Sequence, residues 1–491
     1  MTLDPRTPVL VGVGQMVQHA QGTDDALEPV AMMAEAIRRA ATDAGLRSVP
    51  DPDALRVVNL LSWKYGNPAH FIAKDMGLSP RELGYSSMGG NTPQTLVNTA
   101  SREISAGQLD LVILTGGETT RTANRHRKAG TNPGWRTTDI VPTLCSEDLA
   151  MNMPEEIARR IVMPIQVYPM FETALRAHDG RSVADHQVHI SELWSRFSRV
   201  AATNEYAWSQ KEWTAEELRT PTANNRMIGF PYPKMLNSNN DVDMSAALIM
   251  CSVARAESLG IPRDRWVFVH SGSDAHEHPF ISNRNHFWDT PAIELAGRRV
   301  LELAGLGIGD IDLVDLYSCF PAAVQLGARS LGLDIRSQLT RTGGLPFAGG
   351  PWNNYVMHAI ATVATELRDG KGATGLVWAN GGYTTKHAFG VYSTQPPKDG
   401  FRYDYPQEQI DALPSRQLAS TDDAAGEVTV EAYSVMHDRE GNPERSILSC
   451  LLDDGRRAWG ETADVAVGRD MCTNEWVGRR VRLDASGTLL V

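Results

Sequence analysis

Short apolar runs alternate with amphipathic stretches along most of this chain. Residues 9–11 form a compact apolar run that predicts a buried strand. Between residues 30 and 46, Ala34, Ile37, Ala41 and Ala44 recur on one face at helical spacing, and Gly45 suits the C-cap. Residues 55–61 (LRVVNLL) predict a second strand. The stretch YSSMGGNTPQTLVNTASREISAGQLDLVILTGGE, residues 85–118, predicts a glycine turn, a helix and a strand. Asn91 or Thr92 can cap that helix, Pro93 suits its first turn, and Leu96, Val97, Ala100 and Ile104 supply its buried stripe. Gly107 ends it, and residues 109–114 form the strand. Strand–helix–strand–helix–strand predicts a largely parallel sheet covered by helices.

The pattern then repeats. Residues 9–14 (VLVGVG) resemble 267–272 (VFVHSG), and 36–46 (AIRRAATDAGL) resemble 296–306 (AGRRVLELAGL). LVILTGGETT at 111–120 matches LVWANGGYTT at 376–385 in six of ten positions. The matches keep their order at a spacing of about 260 residues, which marks a duplicated unit. The second copy predicts strands at 267–269, 311–317 and 375–379 and helices at 292–304 and 353–368; residues 245–251 (SAALIMC) close the first copy. Residues 121–240 break the repeat and contain amphipathic pieces such as 186–204. Past residue 394 the chain turns polar and Pro-rich, then gives strand-like runs at 427–435, 446–452, 456–459 and 479–483, punctuated by Gly441, Gly455, Gly468 and Gly487. The expected organisation is a first half (1–120 with 241–253), an inserted loop domain (121–240), a second half (254–394), a linker (395–425) and a small OB-like β domain (426–491).

Composition narrows the function. A chain of 491 residues exceeds one ordinary core. Its net charge of −12 disfavours a nucleic-acid or anionic-membrane role for the whole chain. The five cysteines are scattered with no C-x-x-C pair, which suits a reducing compartment and gives no metal signature. No signal-peptide pattern and no apolar run of about 18 residues is evident, so a cytoplasmic location is expected.

Several segments together carry a resemblance: VLVGVGQ at 9–15, AGQLDLVILTGGE at 106–118, DVDMSAALIM at 241–250, IDLVDLYSCF at 311–320, GGLPFAGGP at 343–351 and WANGG at 378–382. Over residues 7–394 the chain resembles the thiolase superfamily, in particular the sterol-carrier-protein-2 type. The appendage looks like the extra C-terminal domain of the thiolase-like type 1 group. The resemblance implies an α/β fold of two duplicated halves in a five-layered αβαβα arrangement of two sheets. It also implies an acyltransferase ancestry and a CoA thioester as ligand, with no other cofactor and no metal.

The resemblance also locates four catalytic positions. The nucleophilic Cys belongs at Gly90, the His of Gly-His-Pro at Gly350, the second Cys at Ala379, and the Asn- or His-bearing motif at Tyr317 to Phe320. None of these residues supplies the expected thiol or imidazole, and no Cys precedes Cys145. Ordinary thiolase turnover is therefore not expected, since both the covalent and the acid/base steps lose their groups. His387, Tyr383 and Cys319, with Lys386 and Tyr317, are candidates for a different chemistry in the same pocket; the alternative is that His387 and Cys319 are structural. Arg125, Arg127 and Lys128 could meet CoA phosphates or simply be solvated. Three functions stay open: a thioester-binding protein without turnover, a C–C lyase or acyltransferase of altered mechanism in lipid or steroid metabolism, and a scaffold acting through its terminal domain. A membrane or nucleic-acid partner is not expected. The polar strand leading to Gly90 favours a monomer over the family's dimer.

Overall fold

The computed structural model describes residues 3–421 and 423–490. The first half contains β1 (Pro8–Val17), α1 (Pro29–Asp43), β2 (Ala54–Val57), α2 (Pro68–Met76), β3 (Glu82–Tyr85), α3 (Thr92–Ser105) and β4 (Leu111–Thr119). The insert contributes α4 (Thr120–Ala129), β5 (Thr143–Leu144), α5 (Pro154–Ala158), α6 (Pro164–His178), α7 (Val183–Thr203), α8 (Ala215–Arg219), β6 (Met227–Phe230) and β7 (Tyr232–Pro233). The chain returns to the first half with β8 (Asp243–Ser252) and α9 (Val253–Ser258). The second half holds β9 (Val267–His276), α10 (Pro291–Ala304), β10 (Leu313–Leu316), α11 (Pro321–Leu331), α12 (Gly344–Phe347), α13 (Tyr355–Arg368), β11 (Thr374–Gly381) and β12 (Lys386–Ser393). Then follow β13 (Arg402–Asp404), α14 (Gln407–Asp411), β14 (Gly426–His437), β15 (Pro443–Leu451), β16 (Arg457–Thr462), α15 (Val465–Met471), β17 (Arg480–Leu483) and β18 (Leu489–Leu490).

The duplication is explicit in the strand order. The first half runs β3–β2–β4–β8–β1 and the second β10–β11–β12–β9. In each, a parallel pair (β2–β4, β10–β11) leads into two antiparallel steps. The two halves meet where β1 pairs with β9 through Val9↔Phe268 and Leu10↔Val267, so their sheets join edge to edge. Alternation along the strands feeds both faces. Val9 and Val11, Leu111 and Ile113, and Ala247 and Ile249 pack beneath α1 and α2. Leu10, Val112, Leu114, Leu248 and Met250 turn the other way, into the core that holds α3 and α13. Those two helices lie against each other and against strands of both halves, forming the central layer.

Three sequence expectations shift. The strand expected over 55–61 stops at Val57. Beyond it, Leu60 N–H donates to the Tyr85 hydroxyl, and the N–H groups of Leu61 and Ser62 donate to the Glu118 carboxylate at 2.7 and 2.8 Å, so this apolar run ends as a loop held by side chains. The last second-copy strand extends to Gly381, and a further buried strand, β12, follows it. The 395–425 segment is not bare linker: β13 adds a parallel strand to β9, and the Gln407 side chain binds the His276 backbone.

The terminal strands form an antiparallel sheet in the order β16–β15–β14–β17–β18, and a bridge between Glu461 and Thr488 brings β18 back to β16. β6 of the insert extends this sheet through Val435↔Phe230 and Met436↔Gly229. Arg457, fully buried, binds Glu431 and donates to the carbonyls of Ile281, Ser282 and Arg284, fastening the terminal sheet to the second half.

Candidate functional site

The turn between β3 and α3 is held by the side chains of Thr92 and Asn353 rather than by an N-cap. Thr92 Oγ1 donates to the Gly89 carbonyl at 2.7 Å, and Gly89 N–H donates to Asn353 Oδ1 at 3.1 Å. Of the two expected caps, Asn91 and Thr92, Asn91 takes the N-cap position but makes no capping hydrogen bond, and its buried Oδ1 has no partner.

Beneath this turn lies a cavity of about 830 Å³ between the two halves and the insert. Met88, Gly89, Gly90, Tyr317, Cys319, Asn380, Tyr383 and Lys386 wall it from the halves, while Met163, Tyr168, Trp213, Ile228, Lys234 and Met235 wall it from the insert. It has the size and the mainly apolar lining of a small-molecule site. Gly90 faces it, but a Cβ there would stand 2.5 Å from both the Asn380 carbonyl oxygen and Tyr317 Oη. The space beside residue 90 is thus taken by a phenol hydroxyl and a backbone carbonyl. Gly350 is crossed just as closely by Ser238 and Asn240, and its N–H donates to the Asn239 carbonyl at 2.9 Å. Ala379 is buried in β11 opposite Ala388. Neither Gly350 nor Ala379 lines the cavity.

Burial sets the protonation of the groups that do. It drives the Tyr168 and Tyr317 phenols well above the usual range, and it pushes Tyr383 and the Cys319 thiol each to about 12. At neutral pH Cys319 is therefore a protonated thiol and a poor nucleophile. Lys386 is pushed the other way: burial lowers it, against the carboxylates of Asp148 and Glu147, which raise it. Its ammonium nitrogen donates to the Met88 carbonyl.

The remaining candidates fall elsewhere. His387 does not face the cavity; it is buried in β12, where its Nδ1 accepts from Trp378 Nε1 at 3.3 Å and its Nε2 has no partner. Strand alternation explains this, because Lys386 and His387 are neighbours and must point to opposite faces. Arg125 in α4 donates to the carbonyls of Ala20 and Gly22, Arg127 to the Asn124 side chain, and neither they nor Lys128 line the cavity. The cations that do line it are Lys234 and Lys386. Lys234 stands in the insert just after β7, within the 227–235 stretch that the resemblance offers as groove lining, although no residue motif marks it out. Among the described residues no group of three or more His, Cys, Asp or Glu could hold a metal ion, and no helix is long and apolar enough to cross a membrane.

The duplicated halves, the central helix pair and a cavity under the α3 turn define a thiolase fold. Solved structures agree at that level: the Ltp2-ChsH2(DUF35) aldolase (18% identity, 80% of this chain and 98% of that chain, TM-score 0.60) and an acetyl-CoA acetyltransferase from Syntrophomonas wolfei (15%, 79% and 99%, TM-score 0.57). A crystal structure of a monomeric SCP2-thiolase like protein type 1 from Mycobacterium smegmatis is 31% identical, covers 100% of both chains and has a TM-score of 0.84. The family model of the thiolase-like protein type 1 additional C-terminal domain matches residues 406–488, a span that starts inside the expected linker. The chain belongs to the SCP2-thiolase-like protein type 1 family. A curated relative, benzoylsuccinyl-CoA thiolase subunit BbsB of Thauera aromatica, is 25% identical over 164 residues; the match spans 33% of this chain and 38% of that relative.

Proposed function

We propose that this chain binds an acyl-CoA or a related thioester in the cavity and does not perform ordinary thiolysis. One observation carries the reading: the cavity is kept while the place of the nucleophilic side chain is filled by Tyr317 Oη and the Asn380 carbonyl. Thiolysis needs a thiolate to take the acyl group and a base to form it. Gly90, Gly350 and Ala379 offer neither, and burial keeps Cys319 protonated. Lys234, exposed on the insert wall, is the cation we assign to the CoA phosphates. The curated relative is named for a CoA thioester, which agrees with this ligand class. Calorimetric titration with acetyl-CoA and CoA tests the binding, and no heat at ligand concentrations far above the protein's would refute it. An acetoacetyl-CoA cleavage assay tests the second half, and sustained turnover would overturn it.

A second reading, a C–C lyase acting on an acyl-CoA, is favoured by the polar groups left facing the cavity: Tyr317, Asn380 and Lys386. An aldolase shares the fold. We read the terminal β16–β15–β14–β17–β18 ring as OB-like and assign it to docking within the chain rather than to nucleic acid. Its arginines support this, since Arg456 pairs with Asp423 and Asp454, Arg479 with Asp470, and Arg480 with Glu427 and Asp453. We place the protein in cytoplasmic acyl-CoA or lipid metabolism as a monomer. Its β3 edge, where a partner's strand could pair, is covered by β5 of the same chain through Gly84↔Thr143 and Tyr85↔Leu144.

A further inference from the structure

Lys386 sits where a structural lysine has little reason to be. Only 7% of it is exposed, and it lines the cavity. Among the described residues no carboxylate lies within ion-pair distance of its nitrogen, although those of Asp148 and Glu147 act on it from further away, and its nitrogen makes one hydrogen bond, to the Met88 carbonyl. A buried lysine is normally paired, because an unpaired ammonium out of water is costly. This one stands at the emptied turn: a Cβ on Gly89 would lie 2.9 Å from its nitrogen, just as a Cβ on the adjacent Gly90 would lie 2.5 Å from Tyr317 Oη. An amine and a phenol therefore flank two side-chain-free residues at one end of a cavity large enough for a ligand.

We propose that Lys386 is a nucleophile that forms an imine with a ketone carbonyl of the bound ligand, the ligand class being a β-keto thioester. This rests on the thioester reading above for the CoA part of the ligand, but not for the ketone chemistry. The neutral amine attacks the ketone carbon, a C–N bond forms, and the C=O π electrons move to oxygen. The carbinolamine then loses that oxygen as water. The two hydrogens of the water come from the amine, and a C=N bond is left, with no change of oxidation state. When protonated, the imine draws electrons from the neighbouring carbon, which is the demand that a C–C cleavage or proton abstraction places on a lyase. Burial favours the neutral amine that the attack requires. The Tyr317 hydroxyl, facing the same space, is placed to hold the departing oxygen.

The test is reductive trapping on the full chain. The protein is incubated with acetoacetyl-CoA or with acetoacetate in the presence of cyanoborohydride, then read by intact mass and peptide mapping. The expected result is one secondary-amine adduct on the peptide carrying Lys386. It should be lost in K386M and K386R while exposed lysines such as Lys64 and Lys371 stay unmodified. Near-ultraviolet circular dichroism of both variants confirms that the fold survives; K386R keeps a donor for the Met88 carbonyl while removing the nucleophile. Two results would overturn the proposal: no adduct with either probe, or an adduct of equal yield in K386R. Transfer of the acetoacetyl group to Lys386 with release of CoA would overturn it as well, since that is amide formation and not imine formation. Calorimetry separates the two readings. Heat from acetoacetyl-CoA without trapping refutes the imine alone, whereas trapping of acetoacetate without CoA binding refutes the thioester reading alone.

Discussion

Restoring a side chain at residue 90 tests whether the turn has been closed to a nucleophile. In Gly90→Ala the new Cβ meets Asn380 O and Tyr317 Oη at 2.5 Å and Tyr317 Cζ at 2.9 Å. Ordinary contacts begin near 3.4 Å, so neighbours must retreat by about 0.9 Å. Neither can do so cheaply. Asn380 O belongs to β11, where Asn380 is paired with His387 of β12 and its side-chain nitrogen donates to Tyr168 Oη. The Tyr317 ring is buried edge-on against Tyr355, with centroids 5.7 Å apart. Overpacking of a rigid interior costs about 1–3 kcal/mol, and two stiff neighbours place this site at about 3 kcal/mol. Urea unfolding with a Gly309→Ala control reads it. Nothing lies within 4 Å of a Cβ on Gly309, so the control should stay within about 0.5 kcal/mol. In the Y317F background part of the loss should return, because Oη is gone while Cζ stays close. Gly90→Cys should be destabilised at least as much and show no thiolysis. A Gly90→Ala protein as stable as its parent, or a Gly90→Cys protein that cleaves acetoacetyl-CoA, would refute the reasoning.

Three further outcomes follow from other parts of the molecule. Burial raises Glu118 from 4.5 to about 7, against donors from Ser62 and Leu61. The folded state thus holds this proton more tightly than the unfolded chain, so the associated stability is full below pH 4.5 and is lost as pH rises through about 7, up to about 3 kcal/mol. E118Q should gain on the wild type between pH 5 and pH 8 in chemical unfolding, and a pH-independent difference would contradict the assignment. In R457M, Glu431 loses its closest cation and the carbonyls of Ile281, Ser282 and Arg284 each lose a donor, which should cost about 3–5 kcal/mol and open the 395–425 segment to limited proteolysis; an unchanged cleavage pattern would show that the ring is held by other contacts. Sedimentation should find a single 53.8 kDa species, and a dimer at micromolar concentration would mean that β5 does not seal the β3 edge.

Much of the scaffold was legible because its signals are local. The helix stripe of Leu96, Val97, Ala100 and Ile104 is buried as its spacing predicts, and the repeated glycine strands at 111–120 and 376–385 occupy equivalent places in the two halves. Signals that depend on tertiary pairing were not legible. Residues 386–393 lie past the last strand the pattern predicts and offer Lys386 and His387 together as site candidates, yet they form a fully buried strand, and strand alternation then sends Lys386 to the cavity and His387 away from it. Pro169 inside α6 breaks the helical pattern, and the runs β6 and β7 are too short for a periodic signature, while the partner that fixes β6, β14, lies far away in sequence. Asn91 or Thr92 reads as a helix cap, but neither caps α3: Thr92 Oγ1 turns back to the Gly89 carbonyl, and Asn91 Oδ1 has no partner. Gly90 was singled out by motif counting alone. Its occupation by Tyr317 was not, since that contact joins residues from different halves.

That contact changes how the terminal domain should be viewed. β6 pairs with β14 of the terminal sheet, and Ile228, within β6, lines the cavity, as do Lys234 and Met235 a few residues on. Helix α6 is tied to the same sheet, with Thr173 Oγ1 donating to the Tyr433 carbonyl and accepting from the Tyr433 N–H, both at 3.0 Å, while Tyr168, one turn earlier, faces the cavity. The insert wall of the cavity is therefore braced from behind by the added domain. A thiolase-fold half-sheet is stiff by itself, since every strand is paired and both faces are buried. An insert of five helices and three brief strands has no such sheet of its own, and its position depends on what it leans against. In this chain it leans on the terminal sheet, so the domain that extends the thiolase fold is also the one that holds the insert wall of the cavity opposite Tyr317 and Lys386.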